Sequence, residues 1–166
     1  MLEILKYPDP RLLKVAVDVD NFGPEFHRLL DDMAETMYAA DGVGLAAPQV
    51  NVSRRAFLVD LTGIEGCKPG LFEFINPVIT ARSGSTAFEE GCLSVPGVNE
   101  EVKRAQKITV EYKDRNGIVH TMEAEDLFAV AIQHENDHLD GVLFVERLSP
   151  LKRRFTKRKL DKTLSI

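Results

Sequence analysis

The residues best able to do chemistry stand together at His134-Glu135-Asn136-Asp137-His138. On a helix, residues four apart share a face, so His134 and His138 can grip one ion from the same side. Glu135 follows the first histidine and points roughly 100° away around the axis. That puts it at the flank of such a site, able to act on a water there and not to ligate the ion. Two satisfied core histidines would also explain the pair, because short motifs of this kind recur by chance.

The helix that carries the pair has a pattern of its own. Leu127, Val130, Ala131, His134 and His138 fall at spacings 0, 3, 4, 7 and 11, one continuous stripe expected to face the core. Two imidazoles buried on that stripe need partners. A third ligand must come from elsewhere. Asp140 and Glu146 follow closely without special spacing, and His27 and His120 are distant. Cys92 lies in Glu89-Glu90-Gly91-Cys92-Leu93-Ser94-Val95-Pro96, at an expected strand end where a glycine allows close backbone approach. Cysteine with two histidines is a recognised ligand set that leaves a fourth position open for water.

The elements that must position these groups can be read from periodicity. Residues 24–40 predict a helix, with Pro24 in its first turn, Phe26, Leu29, Leu30, Met33 and Met37 at helical spacing, and Gly42 as its stop. Residues 55–61, 72–80, 85–90, 107–113 and 118–125 predict strands, with Asp114-Arg115-Asn116-Gly117 as a turn between the last two. Residues 125–140 predict the histidine-bearing helix, stopped at Gly141, and 149–164 a third helix with Pro150 in its first turn. Helix, neighbouring strands, then helices predict an α+β fold with antiparallel pairing. The expected architecture is small antiparallel or mixed sheets around a central metal-binding helix, with N-terminal and C-terminal helices.

A chain of 166 residues makes one domain, here 1–148 as catalytic body and 149–166 as a basic C-terminal helix of the same domain. With 44% hydrophobic and 28% charged residues, collagen, coiled-coil, disordered and disulfide-scaffold classes are excluded. No apolar run approaches the roughly 18 residues of a spanning helix, and the first residues lack a signal peptide's apolar stretch. A cytoplasmic location without membrane contact is the expectation. Cys67 and Cys92 are then expected as thiols and not as a disulfide. The net charge of −5 is uneven: residues 152–166 hold seven lysines and arginines against Asp161, while the rest of the chain stands at −11. The body gives no electrostatic reason to bind nucleic acid; the tail does.

Three motifs, in order and spacing, give the chain a resemblance to the peptide deformylases. They are Gly42-Val43-Gly44-Leu45-Ala46-Ala47-Pro48-Gln49, Glu90-Gly91-Cys92-Leu93-Ser94 and Gln133-His134-Glu135-Asn136-Asp137-His138. The resemblance covers residues 4–150 and is of the bacterial type, with a C-terminal helix after it. It implies removal of the N-formyl group from the initiator methionine of nascent peptides, with release of formate. It also implies Cys92, His134 and His138 as ligands of one divalent ion, natively Fe²⁺, with Zn²⁺, Ni²⁺ or Co²⁺ able to substitute. Imidazole and thiolate accept all four. Glu135 becomes the proton carrier, and the Gln49 side-chain amide and Leu93 backbone N–H become oxyanion donors. An extended peptide would add as a strand beside Val43-Gly44 and near Gly91. Its methionine side chain would enter a pocket formed by Val43, Leu127, Val130, Ala131 and the His134 ring. Glu90 resembles a family glutamate paired with arginine, here Arg104. The pattern departs where the family often has an arginine at Asn99 and a proline at Lys103, in a substrate-side loop. Bacterial members use the C-terminal helix to bind the ribosome near the peptide exit, so the basic tail is expected to do the same.

Two rival readings remain open at this level. A zinc endopeptidase also uses H-E-x-x-H, although not with Cys92 and the Gly-Ala-Pro-Gln segment. A non-catalytic ribosome-associated module with structural zinc would need a fourth ligand. Cys67, in Glu65-Gly66-Cys67-Lys68-Pro69-Gly70, would have to supply it, and is instead expected to be a spare thiol. On a helical wheel Leu151 and Phe155 share one face of the tail, and Leu160 and Leu164 lie opposite. Packing on the body is therefore expected only for the first turns of the tail.

Overall fold

Pro24 pre-sets the first turn of helix α1 (Pro24–Ala39), and Phe26, Leu30, Met33 and Met37 form its buried face. The computed structural model describes residues 1–164, with side chains through Lys162. The stop of α1 lies one residue earlier than expected. Asp41, not Gly42, adopts the left-handed conformation, with φ 56°. The Gly42 N–H reaches the Met37 carbonyl at 2.9 Å and the Asp41 N–H reaches that of Tyr38 at 3.1 Å, closing the helix. A short polar side chain tolerates this conformation, so a glycine was not required there.

Among the described residues, seven strands follow in two antiparallel sheets. β1 (Gly44–Ala46), β2 (Ala56–Asp60), β3 (Leu71–Ser83), β6 (Lys107–Lys113) and β7 (Val119–Glu125) form the larger sheet, in the order β1-β2-β3-β6-β7. β4 (Thr86–Cys92) and β5 (Val95–Arg104) pair separately as a hairpin. The ladders between named strands are all antiparallel, so the sheets are not mixed. β2 is buried on both faces and divides two cores. Ala56 and Leu58 pack with α1, whereas Phe57 and Val59 pack with the second helix, α2 (Asp126–Leu139). Period-2 alternation thus puts one helix on each face of the sheet.

β5 was expected as a loop. Pro96 and Gly97, the latter at φ 77°, hide its start, and Val95, Val98 and Val102 are its buried apolar positions amid a polar run. They join Leu5, Leu12, Phe144 and Val145 in a third core cluster. The unexpected length of β3 has a similar cause. Pro77 sits at a register shift between Ile75 and Val78, and Asn76 at φ 50° bonds the Val19 N–H and C=O through its side chain. A proline is tolerated in a strand at such a bulge.

Helix α2 is central and buried nearly all round. Phe128, Ala129, Ile132 and Leu139 carry the main packing against the sheet. The expected stripe is therefore only partly core: Leu127, Val130, Ala131 and His134 line a cavity. The C-terminal helix α3 (Pro150–Leu164) corrects the wheel reading. Leu151 and Phe155 are 63% and 61% exposed, while Thr156 and Leu160 are each at 5%. Leu160 joins Leu5, Leu12 and Phe144 in one cluster, assembled from the N-terminal segment and the turn before α3, which the helix's own pattern could not reveal. The side chain of Leu164 lies outside the described residues. Glu146 anchors the near end of α3 by ion pairs to Arg153 at 3.6 Å and Lys157 at 2.7 Å. Among the described residues, no helix is long and apolar enough to cross a membrane.

Candidate active site

Strand β4 ends at Cys92 just after a register shift at Gly91, and this brings its sulfur to the face of α2. Cys92 Sγ lies 3.4 Å from His138 Nε2. Donor atoms of Cys92, His134 and His138 all fall within 4.8 Å of one another. A thiolate and an imidazole bound tetrahedrally to one ion are separated by roughly 3.5 Å, from bond lengths near 2.3 and 2.05 Å. Spacing and donor chemistry therefore fit one divalent transition-metal ion. Cys67 is not one of the clustered donors; it lies half-buried against the sheet core, and burial pushes its thiol pKa up.

The two histidines are held differently. His134 Nδ1 donates to Glu90 Oε1 at 2.9 Å, which turns Nε2 toward the cluster. His138 Nδ1 is buried with no partner among the described residues. Glu90 in turn takes two hydrogen bonds from Arg104, at 2.6 and 2.9 Å, in a buried pair. The carboxylate expected among the substrate contacts is thus engaged with a guanidinium and an imidazole, although Glu90 does border the cavity. Burial opposes charge on His134, but hydrogen bonds to Cys92 and Glu90 outweigh it and hold that imidazole well above its usual pKa. Burial, then the charge on His134, push His138 well below it.

Glu135 is buried, and its Oε2 has no partner among the described residues. Its Oε1 stands 3.8 Å from His134 Nε2. Burial pushes its pKa up to about 7. Gly44 is what admits it: a Cβ at that position would come within 2.7 Å of Glu135 Oε1. Gly42 similarly makes room for the Leu93 side chain, whose Cδ1 would lie 2.7 Å from a Cβ there. Gln49 is fixed by its own loop. Its Oε1 accepts from the Ala46 N–H at 2.9 Å, and its Nε2 donates to Ser94 Oγ at 3.0 Å and faces Cys92 Sγ at 3.6 Å.

These groups surround a cavity of about 350 Å³. Val43, Gly44, Gln49, Glu90, Gly91, Cys92, Leu93, Leu127, Val130, Ala131, His134 and Glu135 all line it, and His138 lies deeper. Sequence reasoning missed Leu61, Ile64, Asp41 and Glu89 in the wall, and Ser94 behind Gln49. Ser94 stood inside a quoted motif; Leu61 and Ile64 carried no chemical signal. Asn99, where the family often has arginine, turns its side chain onto Gly91: its Oδ1 would be 2.5 Å from a Cβ there.

A closed structural zinc site needs four protein ligands. The cluster offers three, among the described residues, beside an accessible cavity and a buried carboxylate of raised pKa. Fold and site together define a metal-dependent hydrolase. The family model for polypeptide deformylase matches residues 1–154. The chain is 52% identical to the peptide deformylase of Xylella fastidiosa strain M12, over 98% of this chain and 95% of that one. It is 51% identical to the peptide deformylase of Alkalilimnicola ehrlichii, over 98% and 90%. Among solved structures, a peptide deformylase from Legionella pneumophila superposes with TM-score 0.90 at 46% identity, covering 99% and 96%. The Ehrlichia chaffeensis enzyme in complex with actinonin gives 0.91 at 40% identity, covering 98% and 97%. The chain belongs to the polypeptide deformylase family and removes the N-formyl group from nascent peptides.

Proposed function

We propose that Cys92, His134 and His138 hold one divalent ion, Fe²⁺ in the native enzyme, with Zn²⁺, Ni²⁺ or Co²⁺ as substitutes. When bound, such an ion supplies Lewis-acid chemistry, polarising water and the formyl carbonyl. Glu135 is the general base: it takes a proton from the attacking water and returns it to the leaving amine. The Gln49 amide and the Leu93 N–H donate to the oxygen that gains charge at the formyl carbon. The methionine side chain rests against Val43, Leu127, Val130 and Ala131, and its backbone aligns with Val43-Gly44 on one side and Gly91 on the other.

The observation that carries this reading is Glu135: a buried carboxylate at the cavity, with Oε2 unpartnered among the described residues, beside the three clustered donors. Formate release from formyl-Met-Ala-Ser by anaerobically purified protein, with metal content measured on the same sample, tests it. Iron-dependent turnover lost in Cys92→Ser and His138→Ala supports the assignment; full activity in either overturns it.

The second part of the proposal concerns residues 149–166. Lys152, Arg154 and Arg158 are exposed on α3 beside Leu151 and Phe155. This basic face serves to hold the enzyme to ribosomal phosphates near the peptide exit in the cytoplasm, while residues 1–148 carry out the chemistry.

A further inference from the structure

Asp137 is buried, yet it does not line the active-site cavity and is not one of the clustered donors. Its carboxylate is taken by two arginines. Oδ2 accepts from Arg104 Nη1 at 2.9 Å and from Arg147 Nε at 3.1 Å, and Oδ1 accepts from Arg147 Nη2 at 2.9 Å. Arg104 also grips Glu90, and Glu90 accepts from His134 Nδ1. The result is an unbroken chain of four charges, alternating in sign, from half-exposed Arg147 to a candidate metal ligand.

We infer that Arg147 is a positioning residue for His134, acting through Asp137, Arg104 and Glu90; the inference rests on His134 being a metal ligand. Arg104 serves two carboxylates with one guanidinium. The forked contact of Arg147 fixes the plane of Asp137 and balances its charge, so that Asp137 draws on Arg104 through Oδ2 alone. Without Arg147, a buried carboxylate is left with half its countercharge, and Arg104 is pulled from Glu90 toward it. Glu90 then loses the donors that hold its own plane, and His134 loses its orientation. A second contact comes from the same short segment. Arg147 ends a 3₁₀ turn (Phe144–Arg147) whose Phe144 ring stacks on the His134 ring, with centroids 5.9 Å apart and planes 30° apart. That turn therefore holds His134 both by its ring face and through its Nδ1 partner.

The test uses full-length protein loaded with Co²⁺ alone, whose absorption bands report ligand geometry. Arg147→Ala should lose cobalt to a chelator about tenfold faster than the parent, the scale on which outer partners of metal ligands act. Its cobalt bands should shift, and Arg147→Lys should recover part of both effects. Asp140→Asn, which breaks the Arg55–Asp140 pair at the same helix end and weakens only a long-range attraction on Arg147 while leaving every hydrogen bond of the chain in place, should stay close to the parent. Unfolding of the metal-free variants is followed in parallel. A less stable Arg147→Ala protein with unchanged cobalt retention and spectrum would make the residue merely structural and overturn the inference. Equal acceleration in Asp140→Asn would overturn it too. His134→Ala must lose cobalt. If it retains cobalt as the parent does, the ligand assignment fails first and the inference falls with it.

Discussion

Glu135 shows how one side chain can carry both the chemistry and a cost in stability. Burial raises its pKa from the ordinary 4.5 to about 7. The folded state therefore binds a proton more tightly than the unfolded chain. Its contribution is fully present below about pH 4.5 and is lost as pH rises through about 7. In metal-free protein this amounts to roughly 3 kcal/mol between pH 4.5 and 8. Glu135→Gln should flatten that part of the pH dependence and stabilise the metal-free protein at pH 8, as read by urea unfolding. Identical slopes in both proteins would refute the raised pKa. The same variant should lose ~10²–10⁴ in formate release while keeping its metal. Gly44 belongs to this scale as well. A methyl group there meets the carboxylate of Glu135 and not backbone, so the flexible side chain would give way. Gly44→Ala should thus keep its fold and metal and lower kcat; an unchanged kcat would show that Glu135 need not stay where it is.

The helices and strands were legible in the sequence in proportion to how local their causes are. Helix α2 was read within a residue at each end, because its pattern and Gly141 both belong to the segment itself. Gly141 is at φ 73°, and a Cβ there would strike the Leu13 carbonyl oxygen, part of the N-terminal turn packed beneath it. Gly141→Ala combines left-handed strain with a backbone collision. It should destabilise the protein by ~2 kcal/mol or more in thermal unfolding, and a loss under ~0.5 kcal/mol would contradict the packing. Strand β5 was missed because its three buried valines meet partners distant in sequence, Leu5 and Phe144 among them. The site divides in the same way. His134, Glu135 and His138 are marked by helical spacing alone, Cys92 by its donor chemistry beside a strand-end glycine, and Gln49 became legible only through a family motif. Asp137 and Arg147 gave no signal, because their meaning lies in a three-dimensional contact with Arg104.

At the scale of the whole molecule, α3 has two faces with different consequences. Its inner face closes the third core through Leu160, and its outer face carries Lys152, Arg154 and Arg158 beside exposed Leu151 and Phe155. Cutting the chain before Lys152 would remove both faces at once, so it cannot separate ribosome binding from stability. Point substitutions can. Leu160→Ala leaves a cavity against Leu5 and Leu12 and should cost ~2–5 kcal/mol in unfolding. Replacing Lys152, Arg154 and Arg158 together by glutamate should leave the melting temperature within a few degrees, since none of the three is buried. Turnover of short formyl-Met peptides should also be unchanged, because none lines the cavity. Binding to ribosomes should collapse. Phosphate contacts release counterions, so the affinity of the parent should fall steeply as salt rises, and the triple variant should show a flatter slope. Co-sedimentation across a salt series reads both quantities. If the parent and the triple variant sediment equally at low salt, the basic face of α3 does not mediate ribosome binding.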